Sequence, residues 1–161
     1  MKKITMTVIV TLLFLTSQTH ANKPEHSSFS ILLPINNMFN AMREHNREKF
    51  LDQFTEQAIL ERVNNENNLE ASDLYKFSLF IKETPRYLDE KIFNTKINQS
   101  GNLANAWVPF AFYLDGKLSH CGVNSFQLIK QQEVWKIHYL MDNTFTGDCE
   151  AFIKKHKSEV S

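Results

Sequence analysis

Three stretches in the first half of the chain repeat apolar residues at helical spacing, while the second half alternates at strand spacing. From Ile31 the apolar positions Ile31, Ile35, Met38 and Met42 fall at intervals of four, three and four, which lays them on one face of a helix over residues 31–44. Pro34 is expected in the first turn or so of that helix, where its missing N–H costs least. Asn46 can cap a second helix, residues 47–54, with Phe50, Leu51 and Phe54 facing inward. Residues 58–63 read as a short strand, and the polar run 64–68 must loop. A third helix follows Ser72 as N-cap, with Leu74, Phe77, Phe80 and Ile81 as its buried stripe until Pro85 forbids continuation.

Beyond Pro85 the period shortens. Residues 88–97 are a strand candidate, 98–101 a turn, and 103–114 a strand rich in aromatic and β-branched residues. Asp115-Gly116 signals a hairpin, because both central positions of a type I′ turn need positive φ. Residues 118–130 return, 131–133 turn again, and 134–145 make the last strand before Gly147-Asp148. This order predicts the α+β class: a cone-shaped, curved, mostly antiparallel sheet covered by three N-terminal helices. Trp107, Phe110, Phe112, Phe126, Trp135 and Tyr139 supply its bulk.

The start of the chain changes the picture. Met1-Lys2-Lys3 precedes 12 uncharged, mostly apolar residues (4–15), then a polar stretch ending at Ala21. That is the pattern of a secretory signal peptide, since a membrane span needs about 18 or more apolar residues. The expected organisation is a signal peptide at 1–21, a flexible leader at 22–28, the domain at 29–149 and a solvated tail at 150–161. A periplasmic or secreted location follows, with no membrane attachment after cleavage. The remaining 140 residues suffice for one core. Lys+Arg and Asp+Glu balance at 18 each, and losing Lys2 and Lys3 leaves an acidic excess of two, which argues against a nucleic-acid partner.

Cys121 and Cys149 are the only cysteines, and an even count in an exported chain makes a disulfide the default. Closing that loop would stabilise the fold by about 3.5 kcal/mol in the chain-entropy model. No CxxC spacing accompanies the scattered histidines, so no metal is expected. No GxSxG, GxGxxG or phosphate loop occurs, so no cofactor is implied and no catalytic residue is assigned.

Four segments carry a likeness: Ala106-Trp107-Val108-Pro109-Phe110, Asp115-Gly116-Lys117, His120-Cys121-Gly122-Val123-Asn124-Ser125-Phe126 and Trp135-Lys136-Ile137. With the element order, they make residues 31–149 resemble the nuclear transport factor 2-like superfamily, also called cystatin-like or SnoaL-like, and within it exported bacterial proteins of undetermined function. The resemblance implies a cone that hosts isomerases, dehydratases, ligand carriers and interaction modules alike.

On such a cone the ligand-pocket candidates are Trp107, Tyr113, His120, Asn124 and Asp142. Register decides among them. A three-residue turn at 131–133 lays His120 and Asp142 on one face, whereas a two-residue turn sends them to opposite faces. In the first register the other face collects Val108, Phe110, Phe112, Val123, Ile129, Trp135, Ile137, Tyr139 and Met141, a more apolar surface for the helices to cover. The polar set would then lie outside. The functional expectations are a module for a small apolar ligand, a homodimer through the outer sheet face with Trp107 and Tyr113 exposed, or an isomerase or dehydratase using Asp142 or His120 as base.

Overall fold

The hairpin marked by Asp115-Gly116 is the centre of the sheet. In the computed structural model, which describes residues 24–158, Asp115 and Gly116 take φ of 51° and 77° and join strand β5 (Leu103–Leu114) to β6 (Lys117–Gln131). A second hairpin turns at Gln132-Glu133, with φ of 48° and 66°, into β7 (Val134–Thr144). The expected signal peptide at 1–21 lies outside the described residues.

The remaining elements, in chain order, are α1 (Pro24–Arg43), α2 (Arg47–Leu51), β1 (Phe54–Val63), β2 (Leu69–Ser72), α3 (Leu74–Glu83), β3 (Leu88–Ile92), β4 (Lys96–Ser100) and α4 (Cys149–Ser158). They form an α+β domain with one seven-stranded sheet of order β2-β1-β7-β6-β5-β3, to which β4 adds on β5. All pairings are antiparallel except β1 with β7. The sheet curls into a cone whose concave side takes α1, α2 and α3. Ile31, Ile35, Met38 and Met42 of α1 are buried there with Phe50, Ile81, Val108, Phe126, Leu128 and Ile137.

Several boundaries differ from the sequence reading, each for a physical reason. Helix α1 begins at Pro24, inside the segment read as a leader, because Pro suits a first helical position. Pro34 is therefore in the helix interior, not its first turn, and is buried. Helix α2 ends at Leu51, and Phe54 opens β1 by pairing with Ile137. The cap of α3 is Asp73, whose side chain accepts from the Lys76 N–H at 3.0 Å, while Ser72 closes β2. Strand β2 escaped notice because all four of its residues are exposed and carry no alternation. The candidate at 88–97 is two strands, β3 and β4, laid end to end along β5.

The segment read as a solvated tail is helix α4. Its basic run hides an inward face, where Phe152 stacks near Phe145 and His156 at 5.1 Å and 4.4 Å between ring centres. The Cys121–Cys149 disulfide ties this helix to the convex side of β6. Pro109, Ala111 and Cys121, all pointing to that side, are fully buried beneath it. Among the described residues no helix is long and apolar enough to cross a membrane.

Candidate functional site

The floor of the cone is decided by one extra residue in β7. Near the turn Gln131 faces Val134 and Ile129 faces Lys136, the register of a two-residue turn. A bulge then intervenes opposite Gln127 and Leu128, and Phe126 faces Leu140 while Asn124 faces Asp142. The added residue reverses the alternation. Asp142 thereby returns to the face that holds His120, although the turn is of the type that would have separated them. The bulge residue, His138, is held from β1 by a 3.0 Å contact between its Nδ1 and the Thr55 hydroxyl.

This parity corrects the expected core. Val108, Phe110, Phe112, Trp135 and Ile137 do point to the concave side, but Val123, Ile129, Tyr139 and Met141 point away. Their places are taken by Phe126, Leu128 and Leu140, together with the polar side chains expected outside. Between sheet and helices lies a cavity of about 320 Å³. Met38 and Met42 of α1, Phe50 of α2, and Phe77 and Phe80 of α3 wall one side of it. Phe112, Leu88 and Leu140 wall the other. Phe80 lines the cavity yet is 50% exposed, which marks the mouth beside α3.

The polar groups gather on the sheet side. Glu90 of β3 faces inward between Leu88 and Ile92, and the Asn124 amide donates to its carboxyl at 2.6 Å. These residues sit two strands apart, with β5 between them, so the bond exists because the sheet is strongly curled. Burial pushes the Glu90 carboxyl up to about 8, against the lowering effect of the Asn124 bond. As a whole residue Glu90 is half-buried, and it lines the cavity.

Beside it Arg62 of β1 donates two hydrogen bonds, each 2.6 Å, to the two oxygens of Asp142. That bond holds the guanidinium above its ordinary value. His120 packs edge-on to Phe110 at 5.7 Å and tilted to Phe112 at 5.1 Å. Burial first, and then the positive charge of Arg62, push its imidazole below the ordinary value. Arg43 of α1 locks the helix to β3 by donating to the Asp89 carboxylate at 3.0 Å and to the Glu90 carbonyl at 3.2 Å.

Of the sequence candidates, His120, Asn124 and Asp142 line this cavity. Trp107 and Tyr113 do not, because they fall on odd positions of β5 and point to the convex side, where Trp107 is 52% exposed. Tyr113 there faces Leu118 and α4 across a surface groove. Sequence reasoning missed Glu90, Arg62 and Arg43. A signal existed for the first two: Leu88-Glu90-Ile92 and Ala58-Leu60-Arg62 each put a charged residue in the apolar half of an alternating strand. Among the described residues no group of His, Cys, Asp and Glu side chains is arranged to hold a metal ion.

No protein-family model matches the chain, and no curated protein matches it. Solved structures do. A nuclear transport factor 2-like protein from Shewanella baltica superposes with a TM-score of 0.61 at 15% identity, over 78% of this chain and 99% of that one. A proposed dehydratase of the same family from Streptomyces avermitilis gives 0.64 at 13% identity, over 78% and 100%. A cystatin-like domain from Nostoc punctiforme gives 0.56 at 16% identity, over 88% and 90%. At these identities the likeness is one of fold: the chain has the nuclear transport factor 2-like, cystatin-like architecture.

Proposed function

We propose that this nuclear transport factor 2-like domain is a binding module for a small, largely apolar molecule that sits in the cone. One observation carries the reading: an apolar cavity of about 320 Å³ has its polar groups collected on one side, around Glu90 and Asn124. That is the make-up of a ligand site, apolar walls for affinity and a few placed polar groups for orientation. A compound present at about 100 times its dissociation constant stabilises the folded state by about 2.7 kcal/mol, which a thermal-shift screen reads as several degrees. The reading expects Leu140→Trp, which fills the cavity, to abolish that shift, and Trp107→Ala to leave it intact. A shift that survives Leu140→Trp would remove the cavity from the account.

A second reading, proton-transfer catalysis by an isomerase or dehydratase, draws on a different observation. Two titratable groups in one apolar cavity are displaced in opposite directions, Glu90 upward and His120 downward, as acid and base partners are. Turnover of a candidate substrate that persists in both Glu90→Gln and His120→Ala would dismiss it.

Self-association and export complete the proposal. Trp107, Leu103 and Ile59 are exposed on the part of the convex face that α4 leaves open, and such a patch suits a second copy. Sedimentation at micromolar concentration should show a dimer that Trp107→Lys splits. Export to the periplasm or medium rests on residues 1–21 and on the disulfide. Fractionation of expressing cells, with the mature N-terminus sequenced, tests it.

A further inference from the structure

The carboxyls around the cavity differ in what answers them. Asp142 is met by Arg62, Asp89 on the other side of β3 is met by Arg43, and Glu61 accepts from the Tyr139 hydroxyl at 2.5 Å. Glu90 accepts only the amide of Asn124, and no cationic side chain among the described residues forms an ion pair with it. Both arginines near enough to act on it are already committed to other carboxylates. The wall facing Glu90 is aromatic: Phe39, Phe50, Phe77, Phe80 and Phe112 all line the same space. The face of a phenyl ring attracts a cation and discriminates against an anion.

We infer that the cavity is built for an organic amine bound as its ammonium, with the Glu90 carboxylate and Asn124 as polar anchor and the phenyl rings as cage. The inference rests on the reading of this cavity as a ligand site and names the class of ligand. A neutral ligand would use the hydrogen bond and leave the rings' charge preference idle. An anion would meet the Glu90 carboxylate and the negative faces of the phenyl rings. Binding the ammonium displaces the Glu90 proton to water, so the protein loses one positive charge as the ligand brings one, and the cavity's net charge is conserved. A volume equal to about ten water molecules limits the ligand to a compact amine.

The groups facing Glu90 set the pH response. They are Arg43 from α1, Arg62 from β1, His120 from β6 and Asp142 from β7. The arginines keep their charge throughout, and His120 is already neutral above its lowered midpoint, so Glu90 dominates at neutral pH and above. Its carboxyl, held near 8, must ionise for the ammonium to bind. Amine affinity therefore rises with pH toward 8, and that of an uncharged isostere does not.

The experiment is calorimetry of the whole mature domain with 2-phenylethylamine and 2-phenylethanol. The amine should bind about ten-fold more tightly than the alcohol at pH 8.5, and linkage to one proton with a midpoint near 8 should lower the amine's affinity roughly 80-fold by pH 6, so that the alcohol is then the tighter ligand. Titration at pH 7 in two buffers of different ionisation enthalpy should show nearly one proton released per amine bound. Glu90→Gln should erase the preference and leave the alcohol within about two-fold. Alcohol binding as tight as amine binding at every pH would overturn the amine while leaving the cavity as a ligand site. Binding of neither compound would overturn both. If Glu90→Gln does not fold, the proton count on the unaltered protein decides, and amine binding without proton release refutes the inference.

Discussion

The solvated rim of the sheet and its helix-covered concave face are made from the same strands and treat carboxyl groups differently. At the sheet's rim, in the β5–β6 and β6–β7 turns, Asp115 accepts from the Tyr87 N–H and Arg86, and Glu133 is met by Lys130. Both carboxyls are held below their ordinary values by those partners. On the concave side Glu90 also has a partner, yet its value rises, because three helices exclude water and desolvation outweighs the single amide bond. The same residue chemistry thus gives solvated ion pairs at the rim and, beside the Arg62–Asp142 pair, a protonated acid inside. The difference lies in what covers the chain: water at the rim, and a broad helical roof on the concave face. The convex face carries a single helix, α4, tied on by a disulfide and covering only part of it.

If the faces are independent, breaking the outer one should leave the inner one working. Cys121→Ser with Cys149→Ser should cost about 3.5 kcal/mol in denaturant unfolding, the largest effect expected, through the 28-residue separation it leaves unclosed. Ligand shifts at the cavity should survive wherever the variant remains folded. Nearly as large is Gly122→Ala. A Cβ there would stand 1.9 Å from the Asn143 carbonyl oxygen and 3.1 Å from the Phe110 ring. Strand β7 would have to move at the cavity floor, for a loss of about 3 kcal/mol seen as a lower melting temperature.

Smaller effects sharpen the contrast. Folded Glu90 keeps its proton up to about 8 while the unfolded chain releases it near 4.5, so the folded state binds more protons in that window and stability falls as pH rises through it. His120 acts the other way, because its depressed value makes stability fall as pH drops below its ordinary 6.5. Between pH 6.5 and 8 only Glu90 contributes from the cavity. The melting curve should lose on the order of 1–2 kcal/mol across that interval, and Glu90→Gln should flatten it. Asp142→Asn should cost about 1 kcal/mol, since Arg62 is half-exposed and can turn to water. Trp107→Lys should change stability by less than about 0.5 kcal/mol while altering sedimentation.

The sheet was legible in the sequence where turn chemistry is local. Asp115-Gly116 sets β5 against β6 with no other information. The helices α1 and α3 were legible because their stripes are apolar. What escaped were features written in few or ambiguous residues. The bulge in β7 has no residue signature, yet it decides which side Asp142 takes, so no count along the strand could place the site. Glu90 sits in Asp89-Glu90-Lys91, which reads as a solvated run until Leu88 and Ile92 are seen to share its face. Helix α4 was masked in the same way by Lys154, Lys155 and Lys157.

The account's central claim is that a helix-covered cone holds Glu90 as a neutral acid at its polar wall. Carbon-detected NMR of the Glu90 side-chain carboxyl across a pH titration tests it on the unmodified domain. A midpoint close to 8 is expected; one near the ordinary 4.5 would show the carboxyl solvated and the cavity open to water.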